Sequence, residues 1–360
     1  MNESNGKQPD ALEDEYALEL SVIIPARNEE DVLAACLESL LTQSEVGFEL
    51  GREWELIIVD DHSSDTTRAI ANKAAELKGV TVFEAPQPAE DSGFTGKNAA
   101  CWTGAQAARG RLLLFTDADT VHMPDDLSRA RHELDRHKVK LLSYSPRQLT
   151  SGVLQRAVMP LVFAEISVAY PMHRVNAAED RTAAANGQFL MVEAEDYFAL
   201  GGHRAVGQQV LEDVALAANF KRARRAIRFR YAPDALSARM YRSSAAMMEG
   251  WTKNLALLYS SALGVGLLRL LDLILIVGIP AVALVYPFLT TLQKALLWVV
   301  WIRVVWRYYA RVAKSNFPAA DCALSLVAIP LFSYLCLASW YRVKVQKKVS
   351  WKGRTYAVRQ

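Results

Sequence analysis

The residues best placed to do chemistry are Thr116-Asp117-Ala118-Asp119-Thr120, which follow an apolar run directly and precede a proline-started helix. Two carboxylates two positions apart, just past a buried strand, come out at the carboxyl edge of a sheet, where open α/β folds bind ligands. Hard oxygen donors of this kind suit magnesium or manganese, and a cation held by one or two of them also grips a diphosphate. The competing reading is a turn with a helix cap, since Asp is common in both. A second acidic cluster, Val59-Asp60-Asp61-His62-Ser63-Ser64-Asp65, ends another apolar run. Carboxylates there accept hydrogen bonds from a base imide or a ribose hydroxyl, with Asp65 better explained as a helix N-cap. Pro25-Ala26-Arg27-Asn28-Glu29 ends the first run, and Arg27 is expected to balance diphosphate charge.

Phe94-Thr95-Gly96-Lys97-Asn98 offers a glycine, a cation and a helix start, which suits a phosphate at a helix N-terminus. It lacks the glycines of a Walker loop or a dinucleotide fingerprint. Glu212-Asp213 follows Gly201-Gly202-His203, and alone it reads as a solvated helix face. Lys221 to Arg230 holds six cations in ten residues; we expect it at a membrane surface rather than as an ordinary exposed helix. The histidines show no ligand spacing, so zinc is not expected.

These clusters need a frame that brings strand ends together. Apolar runs of four to six residues alternate with helix-period segments down to about Pro146, the pattern of a mostly parallel sheet flanked by helices. It predicts strands over 20–25, 55–60, 80–84, 111–116 and 140–145, and helices over 30–43, 66–77, 97–108 and 124–136. Beyond Pro146 come an apolar segment over 153–172, which is either an acceptor guide or plain core, and a glycine-rich stretch from Gly187 to Gly207 suited to acceptor surfaces.

The chain has 360 residues, 51% hydrophobic and 22% charged, with a net charge of +2, so nucleic acid is not the expected partner and contact with lipid is. Residues 273–293 carry no charge over 21 positions and residues 322–341 none over 20, each enough to cross roughly 30 Å of hydrocarbon. Between them lies an apolar segment with Arg303, Arg307 and Arg311 on one stripe, either interfacial or a third span. Residues 1–19 are acidic and polar, unlike a signal peptide, and residues 342–360 hold seven Lys or Arg and no acid. Both ends are therefore expected in the cytoplasm, with reduced cysteines and an even number of crossings, although Lys294, Arg303, Arg307, Arg311 and Lys314 count against exporting the connecting segment and leave re-entrant geometry as the alternative.

The ordered motifs Ser21-Val22-Ile23-Ile24-Pro25-Ala26-Arg27-Asn28-Glu29-Glu30, Val59-Asp60-Asp61, Asp117-Ala118-Asp119 and Glu212-Asp213 resemble those of family-2 glycosyltransferases. A narrower resemblance, to bacterial carotenoid-acid glycosyltransferases of the diaponeurosporenoate type, comes from several further stretches. These are Gly96-Lys97-Asn98-Ala99-Ala100-Cys101, Arg239-Met240-Tyr241, Glu249-Gly250-Trp251-Thr252-Lys253 and Ser350-Trp351-Lys352-Gly353-Arg354-Thr355-Tyr356.

The resemblance implies a GT-A fold, a Rossmann-like mixed α/β sheet, over residues 20–262, after a disordered leader over 1–19. Transmembrane helices over 263–341 and a basic cytosolic tail over 342–360 follow. It implies a multi-pass enzyme of the cytoplasmic membrane that moves a sugar from a nucleotide-diphospho-sugar, with a UDP-sugar expected, to a lipophilic acceptor by inversion. Asp213 would be the catalytic base beside Glu212. Pro25, Arg27, Glu29, Asp60, Asp61, Lys97 and Asp117 would hold the donor; Asp119, with Asp117, would hold Mg or Mn; Gly187, Gln188 and Trp251 would face the acceptor. Processive relatives carry Gln-x-x-Arg-Trp where this chain has Met248-Glu249-Gly250-Trp251, which speaks against a polysaccharide synthase. The rivals fare worse: a nucleotidyltransferase needs a glycine-rich loop after the first strand, and a membrane scaffold or transporter needs polar groups inside several helices.

Overall fold

The computed structural model describes residues 17–43, 45–87, 94–351 and 354–357. The expected leader, up to residue 16, and Lys352-Gly353 of the tail motif lie outside the described residues. The chain divides into two compact units, Met1–Arg147 with Ala183–Ala238, and Gln148–Thr182 with Arg239–Gln360.

Ten of the twelve strands among the described residues are β1 Leu18–Ala26, β2 Trp54–Asp60, β3 Val80–Glu84, β4 Gly110–Phe115, β5 Thr120–His122, β6 Leu141–Ser145, β7 Arg147–Gln148, β8 Leu190–Glu193, β9 Ile227–Tyr231 and β10 Leu236–Ala238, and the other two, Lys348–Trp351 and Arg354–Ala357, pair with each other. Seven form one sheet in the order β3-β2-β1-β4-β8-β6-β9, and β5-β10-β7 form a small second sheet. β1 pairs in parallel with β2 and β4, with Ile23 opposite Ile57 and Phe115, while β8 runs antiparallel to both β4 and β6. The five predicted strands are present within two residues at each end. The inserted β8 is what makes the sheet mixed.

The near-continuous apolar run of β1 follows from burial on both faces. Leu20, Val22, Ile24, Leu56, Ile58, Leu112 and Leu114 join one core cluster. Ile23 and Val59 turn to the other face, beneath the helix Gly96–Ala107. At the opposite sheet edge from the acidic clusters, buried Glu55 accepts from Ser21 Oγ at 2.7 Å, the Arg109 backbone N–H at 2.8 Å and Arg109 Nη2 at 2.7 Å. That network ties β1, β2 and the entry to β4 together, and it satisfies a carboxylate that would otherwise be costly to bury.

The second unit is helical, with Gly152–Ala169, Ser244–Leu258, Ala262–Val285, Thr291–Val312 and Ile329–Trp340 as its longer elements. Among the described residues three helical stretches are long and apolar enough to cross a membrane: Gly152–Val175, Ala262–Val285 and Ala319–Gln346. The uncharged run 273–293 is not one helix. It covers the end of Ala262–Val285 and the start of Thr291–Val312, whose first turn is closed by a capping box between Thr290 and Gln293. Charges are tolerated earlier because Arg269 Nη1 meets Asp272 at 2.7 Å. Of the expected arginine stripe, Arg311 clasps buried Glu165 with two hydrogen bonds, at 2.7 and 2.6 Å, and Arg307 binds Asp272.

Gly104 tests the packing of sheet against helix. Alanine is the better helix former by up to about 1 kcal/mol, yet a Cβ at 104 would stand 2.5 Å from Ile23 Cγ2 and 3.2 Å from Val59 Cγ2. Overpacking of this kind costs about 1–3 kcal/mol. Gly104→Ala should therefore lower the denaturant midpoint without changing the slope, and an unchanged midpoint would refute the close approach.

Candidate functional site

The carboxyl ends of β1, β2 and β4 and the amino end of antiparallel β8 share one rim of the sheet. After β1 and β2 the chain is stitched loop to loop. The Glu29 backbone N–H donates to Thr67 Oγ1 at 2.7 Å, that of Ser64 to Asn28 Oδ1 at 2.9 Å, and that of Thr66 to Glu30 Oε2 at 3.1 Å. Asp65 Oδ1 accepts from the Thr67 N–H at 3.0 Å, but the cap position of the helix Thr67–Ala74 is Thr66, so Asp65 stands one residue ahead of the place expected of it. Arg27, however, does not point at open space: its Nη1 donates to the Asp61 carbonyl at 2.9 Å and lies 3.5 Å from Asp61 Oδ2. Asp60 and Asp61 are both buried, Asp60 accepting from the Ser63 N–H.

Beside this frame the helix Gly96–Ala107 begins with Thr95 as cap. Lys97 reaches from its first turn to Asp117 Oδ1 at 2.8 Å and to Glu212 Oε1 at 2.9 Å. The pair Glu212-Asp213 opens the helix Glu212–Arg222, and Asp213 accepts from the Gly187 N–H at 2.9 Å and the Val214 N–H at 2.7 Å. Glu212 is buried, so the solvated-face reading fails for it. Gln188 extends its amide to Asp119 Oδ1 at 3.3 Å. A small pocket lined by Pro25, Lys97, Asp117, Gly187, His203 and Asp213 opens among these groups.

The crowding shows in the protonation of the acids. Burial pushes the Asp119 carboxyl up to about 7, helped by the charges of Asp117 and Glu29 and opposed by Gln188. Burial and the neighbouring Glu212 likewise push Asp213 up to about 7. Burial would raise Glu212 too, but the charge and hydrogen bond of Lys97 outweigh it and bring it below the usual range. Lys97, which burial alone would depress, is held well above the usual lysine range by Asp117 and Glu212.

A cation beside Asp119 would relieve the repulsion that Asp117 and Glu29 exert on its carboxyl. Among the described residues no group of three metal-ligating side chains forms, so such an ion would take its remaining ligands from the donor phosphates and water.

The parts that sequence reasoning passed over are mostly supports. Asn98, fully buried, donates to the carbonyls of Val206 at 3.1 Å, Gly207 at 2.8 Å and Gln209 at 3.2 Å, fixing the loop before Glu212 to the Lys97 helix. His203 is buried against Tyr197, whose hydroxyl lies 2.8 Å from His203 Nδ1, and burial pulls its pKa down to about 3, so it is neutral. The turn that delivers it needs Gly202, at φ +46°, where a Cβ would strike the Tyr197 ring at 2.3 Å. Trp251 lies in the second unit, buried, with Nε1 3.3 Å from Met159 Sδ. Half of the basic run 221–230 is engaged inside the first unit: Arg225 pairs with Asp196 at 2.7 Å, and Arg228 and Arg230 pair with Glu133 at 2.6 and 3.0 Å, while Arg222 and Arg224 are exposed.

Residues 21–162, from β1 through the Asp-Ala-Asp loop, match Glycosyl transferase family 2. Over those residues the chain is similar to that family. It is 25% identical over 363 residues to the 4,4'-diaponeurosporenoate glycosyltransferase of Staphylococcus haemolyticus, covering 96% of this chain and 91% of that one. Identity to the protein of the same name from Staphylococcus aureus strain MRSA252 is 26% over 351 residues, covering 94% and 88%. The fold is similar to that of a mannosyltransferase from Pyrobaculum calidifontis, solved in complex with GDP-Man and Mn2+, with a TM-score of 0.52, 16% identity, and 92% and 88% of the two chains covered. That likeness is one of fold, the mixed α/β sheet of GT-A type.

Asn98→Ala would remove the side chain that ties the carbonyls of Val206, Gly207 and Gln209 to the Lys97 helix, leaving the first two only the backbone donors of Gln209 and Thr95. We expect a loss of about 1–3 kcal/mol and faster amide exchange at Gly207 and Gln209; exchange unchanged at both would show that Asn98 does not hold the loop.

Proposed function

We propose that this glycosyltransferase moves a sugar from a UDP-sugar, with inversion, to a long apolar acceptor at the cytoplasmic membrane. The observation that carries the reading is the meeting of Asp117, Lys97, Glu212 and Asp213 around one pocket, with Asp119 held alongside by Gln188. Asp60 and Asp61, at the end of β2, are assigned to the nucleobase and ribose, and Pro25 and Glu29 to the donor side of the crevice. Arg27 acts by fixing Asp61. Asp119, with Asp117, would hold Mg or Mn, which supplies positive charge where the departing diphosphate gains negative charge. Lys97 adds its ammonium to the same end of the pocket. Gly187 leaves room: a Cβ there would lie 3.0 Å from Lys97 Nζ and 3.7 Å from Asp213 Oδ2. Gln188 belongs with Asp119, and Trp251 is kept only as an acceptor-side support through its packing.

Asp213 is assigned as general base for a hydroxyl acceptor. A carboxyl that titrates near 7 is poised for this at neutral pH, whereas an ordinary aspartate would be too weak. Membrane attachment is supported by the apolar helices, which leave Leu267, Ile274, Val277, Leu284 and Val285 exposed along Ala262–Val285, a pattern suited to lipid rather than water. The acceptor class follows the name of the relatives, a long carotenoid acid. Residues 20–262 are proposed as the catalytic domain and 263–341 as the membrane region, with the catalytic side cytosolic.

Release of UDP on adding donor and a lipid extract tests the assignment, and a glycolipid identified by mass spectrometry would name sugar and acceptor together. With a hydroxyl acceptor kcat/KM should rise roughly tenfold per pH unit below 7 and level off above it, because only the ionised Asp213 accepts a proton. A carboxylate acceptor, with a pKa of about 4–5, is already ionised and should show no such limb. Correspondingly, Asp213→Asn should cost about 10²–10⁴-fold with a hydroxyl acceptor and little with a carboxylate. Equal losses on both, in a variant that still binds UDP, would overturn that division.

A further inference from the structure

Behind Asp119 runs a line of buried polar groups that sugar transfer as described leaves unused. Asp126 Oδ2 lies 2.7 Å from His122 Nδ1, and His122 Nε2 lies 3.0 Å from Thr116 Oγ1. Thr116 Oγ1 donates to the Gln188 carbonyl at 2.9 Å, and the Gln188 amide donates to Asp119 at 3.3 Å. Asp126, His122, Thr116 and Gln188 are each 3% exposed or less, so none trades these bonds with water. A buried histidine four residues from a carboxylate is ordinarily just core packing. Here the ends of the line make it more than that, since it starts on a helix with no part in the site and finishes on an acid assigned to the donor side.

Counting protons gives the line a direction. A threonine hydroxyl has one proton. If Thr116 spends it on the Gln188 carbonyl, the bond to His122 must come from an Nε2–H. His122 Nδ1 then faces Asp126, whose other oxygen, Oδ1, has no hydrogen-bond partner among the described residues. An ionised carboxylate with one bare oxygen in a dry interior is the costlier state, so the proton sits on Oδ2 and is offered to Nδ1. Burial raises the Asp126 carboxyl in the same sense, against the pull of His122, Arg129 and Arg230.

We propose that Asp126, His122 and Thr116 are positioning residues, forming a relay of hydrogen bonds of fixed direction that grips the Gln188 backbone and so sets its amide against Asp119. The consequence for activity rests on Asp119 serving the donor cation; the proton positions do not.

The two parts are therefore tested separately. In the full-length chain labelled with ¹⁵N-histidine, without cation or donor, His122 is assigned by its through-space contact with the Thr116 methyl group. A proton bound to Nε2 at neutral pH is expected, and an unprotonated Nε2 would reverse the relay and overturn the proposal, whether or not sugar transfer is ever observed. In UDP-release assays Thr116→Val should raise the Mn²⁺ concentration for half-maximal rate roughly tenfold or more, while Thr116→Ser, which keeps the hydroxyl, should behave as the parent. Equal impairment of both variants would show packing instead of positioning and sink it.

Discussion

The site depends on the ammonium of Lys97 standing between Asp117 and Glu212. In surroundings of low effective dielectric, carboxylates this close destabilise one another by several kcal/mol unless a cation intervenes. Lys97 supplies one from the first turn of a helix, with its stem anchored by burial of that turn. The result is that Glu212 and Asp213, adjacent in sequence, diverge chemically: one is kept ionised by its ion pair and the other is driven towards neutrality. Such separation of neighbouring acids is how one scaffold comes to hold groups with distinct tasks.

The backbone contributes as much as the side chains. β8 enters the sheet against the direction of β4, so the residues that precede it reach the same rim as the residues that follow β1, β2 and β4. This is why the Gly187 N–H can meet Asp213, and why Gln188 lies within reach of Asp119. Thr116, just past β4, and Phe189, just before Leu190, mark the point where the two chain directions meet.

Much of this frame was legible because parallel strands buried on both faces leave long apolar runs, each ended by the polar residues of the rim. β8 was not: its apolar run, Phe189 to Val192, is only four residues long and lies beyond Pro146, where the alternation of strand and helix patterns breaks down, and only the structure shows it bridging β4 and β6. The acidic clusters were found, but cations were misjudged. Arg27 and the arginines of residues 225–230 read as available because sequence shows charge and not partner, and Asp61, Asp196 and Glu133 lie far along the chain from them. The first membrane-like helix was misregistered for a related reason, since Arg269 and Asp272 seemed to end a span when they in fact cancel each other, whereas the run 322–341 falls within Ala319–Gln346. Asn98 and His122 left only faint signals, a polar residue inside a helix start and a histidine four residues from an aspartate, both of which are common in unremarkable cores.

The ion pairs of the second unit set an order on its assembly. Glu165, on an apolar helix made early, is clasped by Arg311, made 146 residues later. Until the ribosome has produced Arg269, 3.6 Å away, and then Arg311, that carboxylate has no guanidinium beside it, and its helix cannot settle cheaply in any dry environment. Apolar helices made in sequence must therefore consolidate with the arginines that follow them, so that truncation ahead of residue 311 removes the two hydrogen bonds that clasp Glu165 and leaves it only the longer contact with Arg269.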